Sequence, residues 1–321
     1  MKAFLTGGTG FIGTHLVDLL LTEGIEVHLL VRNPDKEPAL LEKNVRLLRG
    51  DLFSIPALPA GLDTVFHLAG RTRSLSAAGY YTVNQDGTAS LFRSLVGLEE
   101  RPKVIVLSSQ AAAGPSSTGR PVKESDPPHP VTPYGCSKLR GEQEALKFKD
   151  QFPVAIMRAC SVFGPGDRDF LPYFSLISKG IIPTVKGGKK TSLVYVKDLT
   201  RALWLGAQKT FPSGEIFNIA NPSPHNWDEL GIAAAAALGR KSRRLEIPRG
   251  ILYLISLLYE MTHRLRGAPG LITRDKYRDL TQAAWLSDIG KAAELLSFRA
   301  RYSLEEAVRE TISWYLAEGW L

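Results

Sequence analysis

The sequence predicts an α/β fold: a doubly wound parallel sheet, completed by a smaller, mostly helical C-terminal part. Three observations carry this. Short apolar runs alternate with helical patterns through the first half of the 321 residues, the signature of βαβ units. The run Val104-Ile105-Val106-Leu107 is apolar at every position, as a strand covered on both faces requires. A glycine-rich string, Gly7 to Gly13, lies between the first strand pattern and the first helix pattern.

In order, residues 2–5 read as the first strand and 14–23 as a helix stopped by Gly24. Strands follow at 26–31, 45–48, 64–68 and 103–108, then a helix at 133–148 and a buried strand at 154–157. Turn signals at Gly164-Pro165-Gly166 and Lys186-Gly187-Gly188-Lys189 bracket a helical piece, 171–179, that leaves the main sheet. Residues 193–196 and 215–220 read as strands returning to that sheet around a helix at 199–208. From Asn221 the pattern is mostly helical, at 227–238, 251–265 and 304–320. The expected division is a nucleotide-binding part over 1–165 and 190–220, and a discontinuous second part over 166–189 and 221–321.

Composition sets bounds. With 44% hydrophobic and 22% charged residues the chain can bury a sizeable core without staples. Cys136 and Cys160 fit neither a disulfide framework nor a zinc site, and a reducing cytoplasm is expected. Met1 to Thr6 run straight into the glycine turn, leaving no room for a signal peptide, and no run approaches the roughly 18 apolar residues of a membrane span. The net charge of +8 invites a nucleic-acid reading, but none of the recognition motifs is present; a phosphate-bearing cofactor and a basic surface account for it. The excess is local, with seven Lys/Arg against two Glu over 240–266.

The string Thr6-Gly7-Gly8-Thr9-Gly10-Phe11-Ile12-Gly13 satisfies both Gly-x-x-Gly-x-x-Gly and Gly-x-Gly-x-x-Gly. Glycines there serve a tight turn, close approach to a pyrophosphate and close helix–strand packing, with the anion on the helix N-terminus. The reading is a Rossmann-type dinucleotide site in which Gly7, Gly10, Phe11, Ile12 and Gly13 meet the cofactor. At the end of the second strand a carboxylate would select NAD and an arginine NADP. Arg32 stands there with Lys36 behind it, and Asp35 is displaced beyond Pro34, so NADP is favoured over NAD.

Tyr134-Gly135-Cys136-Ser137-Lys138 places a phenol and an ammonium on one face of a helix. A nearby cation favours tyrosinate, which lets Tyr134 exchange a proton with a hydroxyl or carbonyl. Upstream, Ser108-Ser109 close a buried strand at the end where such sheets bind ligands. The six histidines show no metal-ligand spacing, and neither an acyl-transfer elbow nor a Walker loop is present. No metal is expected.

With these motifs, nearly the whole chain resembles the extended short-chain dehydrogenases/reductases. The resemblance rests on residues 6–13, Gly50-Asp51-Leu52, Phe66-His67-Leu68-Ala69-Gly70, residues 83–88, Ser108-Ser109, Tyr134 to Lys138 and Val194-Tyr195-Val196-Lys197-Asp198. It implies that Ser109, five before Gly114 and 25 before the tyrosine, holds the reacting oxygen while Tyr134 transfers the proton. It also implies that Lys138 holds the nicotinamide ribose and tunes Tyr134, that Asp51 and Leu52 flank the adenine, and that Ala69 lines the cofactor channel. A homodimer is implied too, through the helix after Asn84 and the helix carrying Tyr134.

The resemblance divides over the substrate. Sugar-nucleotide epimerases usually carry Arg-Tyr-Phe-Asn-Pro where this chain has Arg158-Ala159-Cys160-Ser161-Val162, and an arginine where it has Thr191. The stretch Arg32-Asn33-Pro34-Asp35 resembles dihydroflavonol-type reductases, and the tail resembles bacterial relatives of 3β-hydroxysteroid dehydrogenases. The implied activity is NADP(H)-dependent interconversion of a carbonyl and a secondary alcohol on a small, apolar or ring-containing substrate. An epimerase or dehydratase with tightly bound NAD and a non-catalytic NADP-binding protein remain the alternatives. The apolar stretch 251–265, bracketed by Arg249, Arg264 and Arg266, reads as a core helix, as a lid over an apolar substrate, or as an interfacial helix against anionic lipid, so that peripheral membrane contact through 249–266 stays open.

Overall fold

A computed structural model of the chain describes residues 1–37, 40, 42–116, 119–185, 190–267, 270 and 273–321. One parallel sheet holds seven strands: β1 (Lys2–Thr6), β2 (Glu26–Val31), β3 (Val45–Arg49), β4 (Thr64–His67), β5 (Lys103–Ser109), β6 (Val154–Ala159) and β11 (Glu215–Ile219). Their order across it is β11-β6-β5-β4-β1-β2-β3. Chain order runs outward in both directions from the β1–β4 boundary, which makes that boundary the topological switch point where open α/β sheets bind ligands.

The all-apolar strands are buried on both faces as their composition demands: Val104, Ile105, Val154, Ala155, Ile156 and Met157 are each fully buried. On one face, Leu16, Val17 and Leu20 of helix Phe11–Thr22 and Leu199, Ala202 and Leu203 of helix Val196–Gln208 close the core. Ala292, Leu296 and Phe298 from the C-terminal part join this same layer. On the other face lie Leu91, Phe92 and Leu95 of helix Gly87–Val96, with Ala145 of helix Pro133–Leu146 and Phe152. A second core gathers Phe163, Phe170, Phe174, Leu230, Leu304, Ile312 and Tyr315. It joins helices Leu171–Ser178, Trp227–Ala237 and Leu304–Ala317, the last begun by a reciprocal Ser303–Glu306 capping box.

Two features differ from the sequence expectation, and a third narrows an open one. Residues 193–195 do not return to the main sheet: β11 occupies the edge beside β6, and β10 (Leu193–Tyr195) pairs instead with β7 (Ser161–Phe163). The second part also contains a parallel strand pair, β8 (Ile181–Val185) with β13 (Arg243–Ile247), which the arginine-rich composition of β13 disguises. Helix Arg249–Leu265 is not a core helix; its apolar face lies on the surface. The turn signal at 186–189 falls outside the described residues.

Candidate active site

The loop between β1 and its helix sorts the three motif glycines by what each must avoid. Gly7 has φ +76°, and a Cβ on it would lie 2.5 Å from the Ala69 amide nitrogen. On Gly13 a Cβ would meet the Gly7 carbonyl oxygen at 2.2 Å. Those two glycines let strand and helix close on each other. Gly10 is different, because a Cβ there would meet only the Gly7 oxygen, at 3.3 Å. Its backbone faces outward at the N-cap of helix Phe11–Thr22, where the amides of Phe11, Ile12 and Gly13 have no acceptor among the described residues. The fold thus leaves three donors and a positive helix end beside a residue whose missing side chain the protein itself does not need.

Around this loop, Arg32 follows directly on β2 and is exposed, as is Lys36; neither has an ionic partner among the described residues. Asp35, the acid beyond Pro34, is turned away to Arg49 at 2.9 Å. Asp51 uses Oδ1 to accept from the amides of Phe53 (2.8 Å) and Ser54 (2.9 Å), fixing the turn after β3. Leu52 is buried against Gly87, where a Cβ would come within 2.6 Å of it. The Ala69 amide donates to Thr6 Oγ1 (3.3 Å) beside the Gly7 turn.

Ser109 ends β5 at the same edge of the sheet and caps the short helix Gln110–Ala113, accepting from the Ala111 amide at 3.2 Å. The helix carrying Tyr134 begins where Thr132 caps the Gly135 amide and Pro133 takes the first position. Gly135 explains its close approach: a Cβ there would lie 2.4 Å from the Ala111 carbonyl oxygen. The contact brings Ser109 close to the Tyr134 phenol. Burial pushes that phenol up to about 12, against the smaller lowering effect of Ser109. The expected cation does not reverse this, because Lys138 Nζ donates to the Leu107 carbonyl at 2.7 Å. Burial in turn draws Lys138 down to about 8, opposed by the Glu142 carboxylate one turn on.

Several residues without a motif hold this geometry. Glu142 and Arg158 form a bidentate ion pair (2.9 and 2.7 Å) with both side chains buried, and Ser108 Oγ donates to Glu142 at 2.5 Å. Gly141 rests on Asn84, whose carbonyl oxygen would lie 2.2 Å from an added Cβ. Asn84 donates to the Arg71 carbonyl (3.0 Å) and Ser137 Oγ (2.8 Å) and accepts from the Arg71 amide (2.7 Å), tying the loop after β4 to the Tyr134 helix. His67, held neutral with its pKa near 3 by burial and the nearby Lys138, bridges Thr6 (2.7 Å) and Thr88 (2.9 Å). Thr88 passes its own proton to the Asn84 carbonyl. That chain links the glycine loop to the Asn84 turn with each member satisfied.

On the open side, the Tyr80 ring sits edge-on to Tyr134 with centroids 6.0 Å apart. Asp279, in helix Arg274–Thr281, also acts on the phenol. Its Oδ1 is buried without a partner among the described residues, and burial pushes its carboxyl up to about 6. Nothing in the sequence marks Asp279, one of two acids in a polar helix. Among the described residues no group of three His, Cys, Asp or Glu side chains is placed to hold a metal.

The NAD dependent epimerase/dehydratase family model matches residues 3–220, the span holding the glycine loop, Ser109, Tyr134 and Lys138. The chain belongs to this family. It is an enzyme of the extended short-chain dehydrogenase/reductase type. Relatives in the family include the ceramide reductase of Caulobacter vibrioides, 26% identical over 99% of this chain and 95% of its own. The decarboxylating sterol-4-alpha-carboxylate 3-dehydrogenase of Saccharomyces cerevisiae is also 26% identical, over 98% of this chain and 97% of its own. A solved structure of MoeE5 with UDP-glucuronic acid and NAD superposes with TM-score 0.76 at 25% identity, covering 99% of this chain and 100% of that one. The Gly7–Gly13 cradle fits the dinucleotide for which the family is named, since its open donors converge beside the one motif glycine the fold leaves free.

Proposed function

We propose that this family member interconverts a carbonyl and a secondary alcohol on an apolar or ring-containing substrate, using NADP(H). The observation that carries the reading is the placement of Ser109 beside a Tyr134 phenol that keeps its proton at neutral pH. In this reading Gly7, Gly10, Phe11, Ile12 and Gly13 receive the pyrophosphate, Asp51 and Leu52 border the adenine, and Ala69 lines the channel. Arg32, just after β2, and Lys36, in the turn that follows, are both exposed and take the 2′-phosphate. The bound cofactor supplies or accepts the hydride. Ser109 fixes the substrate oxygen, Tyr134 gives that oxygen its proton as charge develops on it, and Lys138 binds the ribose.

Two positions speak for a reductase over the epimerase and dehydratase alternatives. Ser161 stands where the epimerases usually place a diphosphate-gripping asparagine; it opens β7 and carries a short hydroxyl in place of the amide. Thr191, at the epimerases' arginine position, is buried in a short strand (Lys190–Thr191) and brings no cation. The names of the ceramide and sterol relatives point to lipid-like substrates.

The test is NADPH oxidation against apolar ketones, with UDP-glucose and UDP-glucuronic acid run alongside. Tyr134→Phe should lower kcat by about 10²–10⁴ while NADPH binds as before, because only the transferable proton is removed. Near wild-type turnover in that variant, or conversion of the sugar nucleotides alone, would overturn the reading.

A further inference from the structure

Helix Arg249–Leu265 carries an apolar face that no part of the described chain covers. Ile251, Leu254, Leu258 and Met261 are each more than half exposed, Ile255 is 41% exposed and Leu265 89%. At 3.6 residues per turn these six positions fall within an arc of about 120°, one continuous stripe. The opposite side is engaged: Leu252 and Ser256 are buried, the Tyr253 ring meets Tyr277 with centroids 5.3 Å apart, and Glu260 holds Arg274 at 3.0 Å. The inner face is therefore anchored to helix Arg274–Thr281, and the outer stripe is unpartnered.

Cations flank this helix along the chain. Arg240, Lys241, Arg243, Arg249 and Arg266 are exposed and show no ion pair among the described residues, and only Arg244 is engaged, with Asp228 at 3.4 Å. Glu246 is the single exposed carboxylate of residues 240–266 whose charge is not taken up by an arginine. A second copy of this face would bring like charges together, whereas an anionic lipid surface satisfies both the stripe and its basic margin. Among the described residues no helix is long and apolar enough to cross a membrane, so the contact would be peripheral.

We infer that helix Arg249–Leu265 is an interfacial helix that seats the protein on an anionic bilayer, apolar stripe inward and basic margin at the headgroups. Its place in the fold gives the contact a use. A cavity lined by Tyr80, Pro133, Glu260, His263, Gly270 and Thr273 lies between the Tyr134 region and this helix. Helix Arg274–Thr281, on which it rests, carries the Asp279 that acts on Tyr134. A docked molecule would hold its active site one helix away from the lipid. The surface contact does not depend on the substrate assignment, and lipid binding can be read without turnover.

The experiment is sedimentation of the full chain with vesicles of equal parts phosphatidylcholine and phosphatidylglycerol, against phosphatidylcholine alone. Binding should require the anionic lipid and weaken sharply in high salt, where the Debye length shrinks to about 3 Å at 1 M. The double variant Leu254→Ser/Leu258→Ser should lose roughly tenfold or more in vesicle affinity. Arg243→Gln and Arg249→Gln should each cost about fivefold. All four substitutions lie on exposed positions, so thermal melting and NADPH affinity should be unchanged. No sedimentation of the wild type with anionic vesicles overturns the inference, as does equal sedimentation of the double variant. A solution dimer that the double variant dissociates would assign the face to self-association and overturn it as well.

Discussion

Replacing the three motif glycines one at a time separates what the fold needs from what the cofactor needs. In Gly13→Ala the new methyl would stand 2.2 Å from the Gly7 oxygen and 2.7 Å from Gly8 Cα, both backbone atoms. Helix Phe11–Thr22 must therefore move off the sheet, an overpacking cost of about 1–3 kcal/mol. Gly7→Ala adds to a similar clash a left-handed backbone at φ +76°, worth about 1–2 kcal/mol more. Gly10→Ala meets only one oxygen, at 3.3 Å, with φ −82°, so its cost is that of a poorer N-cap, under about 1 kcal/mol. Each kcal/mol shifts Tm by roughly 2 °C in a large domain. The expected order of melting is therefore Gly7→Ala lowest, then Gly13→Ala, with Gly10→Ala close to wild type. Cofactor affinity, titrated by nucleotide fluorescence, should run differently: Gly10→Ala should lose at least about tenfold while still folded, because its methyl occupies the pyrophosphate approach. A Gly10→Ala protein that melts as early as Gly13→Ala, or binds NADPH like the wild type, refutes this division of labour.

Three further outcomes follow from the same geometry. Arg32→Ala should erase an NADPH-over-NADH preference of about 1.5–3 kcal/mol, the worth of a charge-assisted contact, and an unchanged affinity ratio would reassign the 2′-phosphate site. Arg158→Met leaves the Glu142 carboxylate buried without its partner and should cost about 3–5 kcal/mol in urea unfolding, whereas adding Glu142→Leu should recover much of the loss. Lys138, with its pKa drawn down to about 8, is charged below that pH and neutral above it, so NADPH affinity should fall as pH rises through about 8. Lys138→Arg, charged throughout, should flatten that limb, and an identical decline in this variant would place the titration elsewhere.

The sheet was legible because its central strands are apolar on both faces, a requirement composition cannot hide. Strands 26–31, 103–109 and 154–159 emerge within two residues of their expected bounds. The glycine string and the Tyr-x-x-x-Lys were legible for the same reason, since each chemistry imposes its own spacing. Less visible was whatever depends on contacts distant in sequence. Strand 243–247 reads Arg-Arg-Leu-Glu-Ile and becomes a strand only by pairing with 181–185, about 60 positions earlier. Residues 193–195 lose their place in the main sheet because a later segment, 215–219, claims the edge beside β6. Glu142, Arg158 and Asp279 carry no local pattern. Their roles arise because the Tyr134 helix lies over β5 and β6 and helix Arg274–Thr281 closes from the other side.

The protonation states in the site argue for a direction of chemistry. At neutral pH the Tyr134 phenol is protonated by a wide margin, His67 is neutral and enclosed between two hydroxyls, and Lys138 is bound to the Leu107 carbonyl. Of these groups, the phenol is the one that lies beside Ser109 with a hydrogen to give to a substrate oxygen, Lys138 being engaged by the Leu107 carbonyl. Its raised pKa makes it a weak acid toward water yet no obstacle toward a forming alkoxide, which is a far stronger base than a phenolate. An enzyme that began by oxidising an alcohol, as an epimerase does, would need the opposite preparation, a phenolate ready to take a proton. Burial works against that state here, with Asp279 and Asp169 adding negative charge on the same side. Carbonyl reduction is the reaction for which this arrangement is already in the right protonation state, so initial rates at neutral pH should favour ketone reduction over alcohol oxidation.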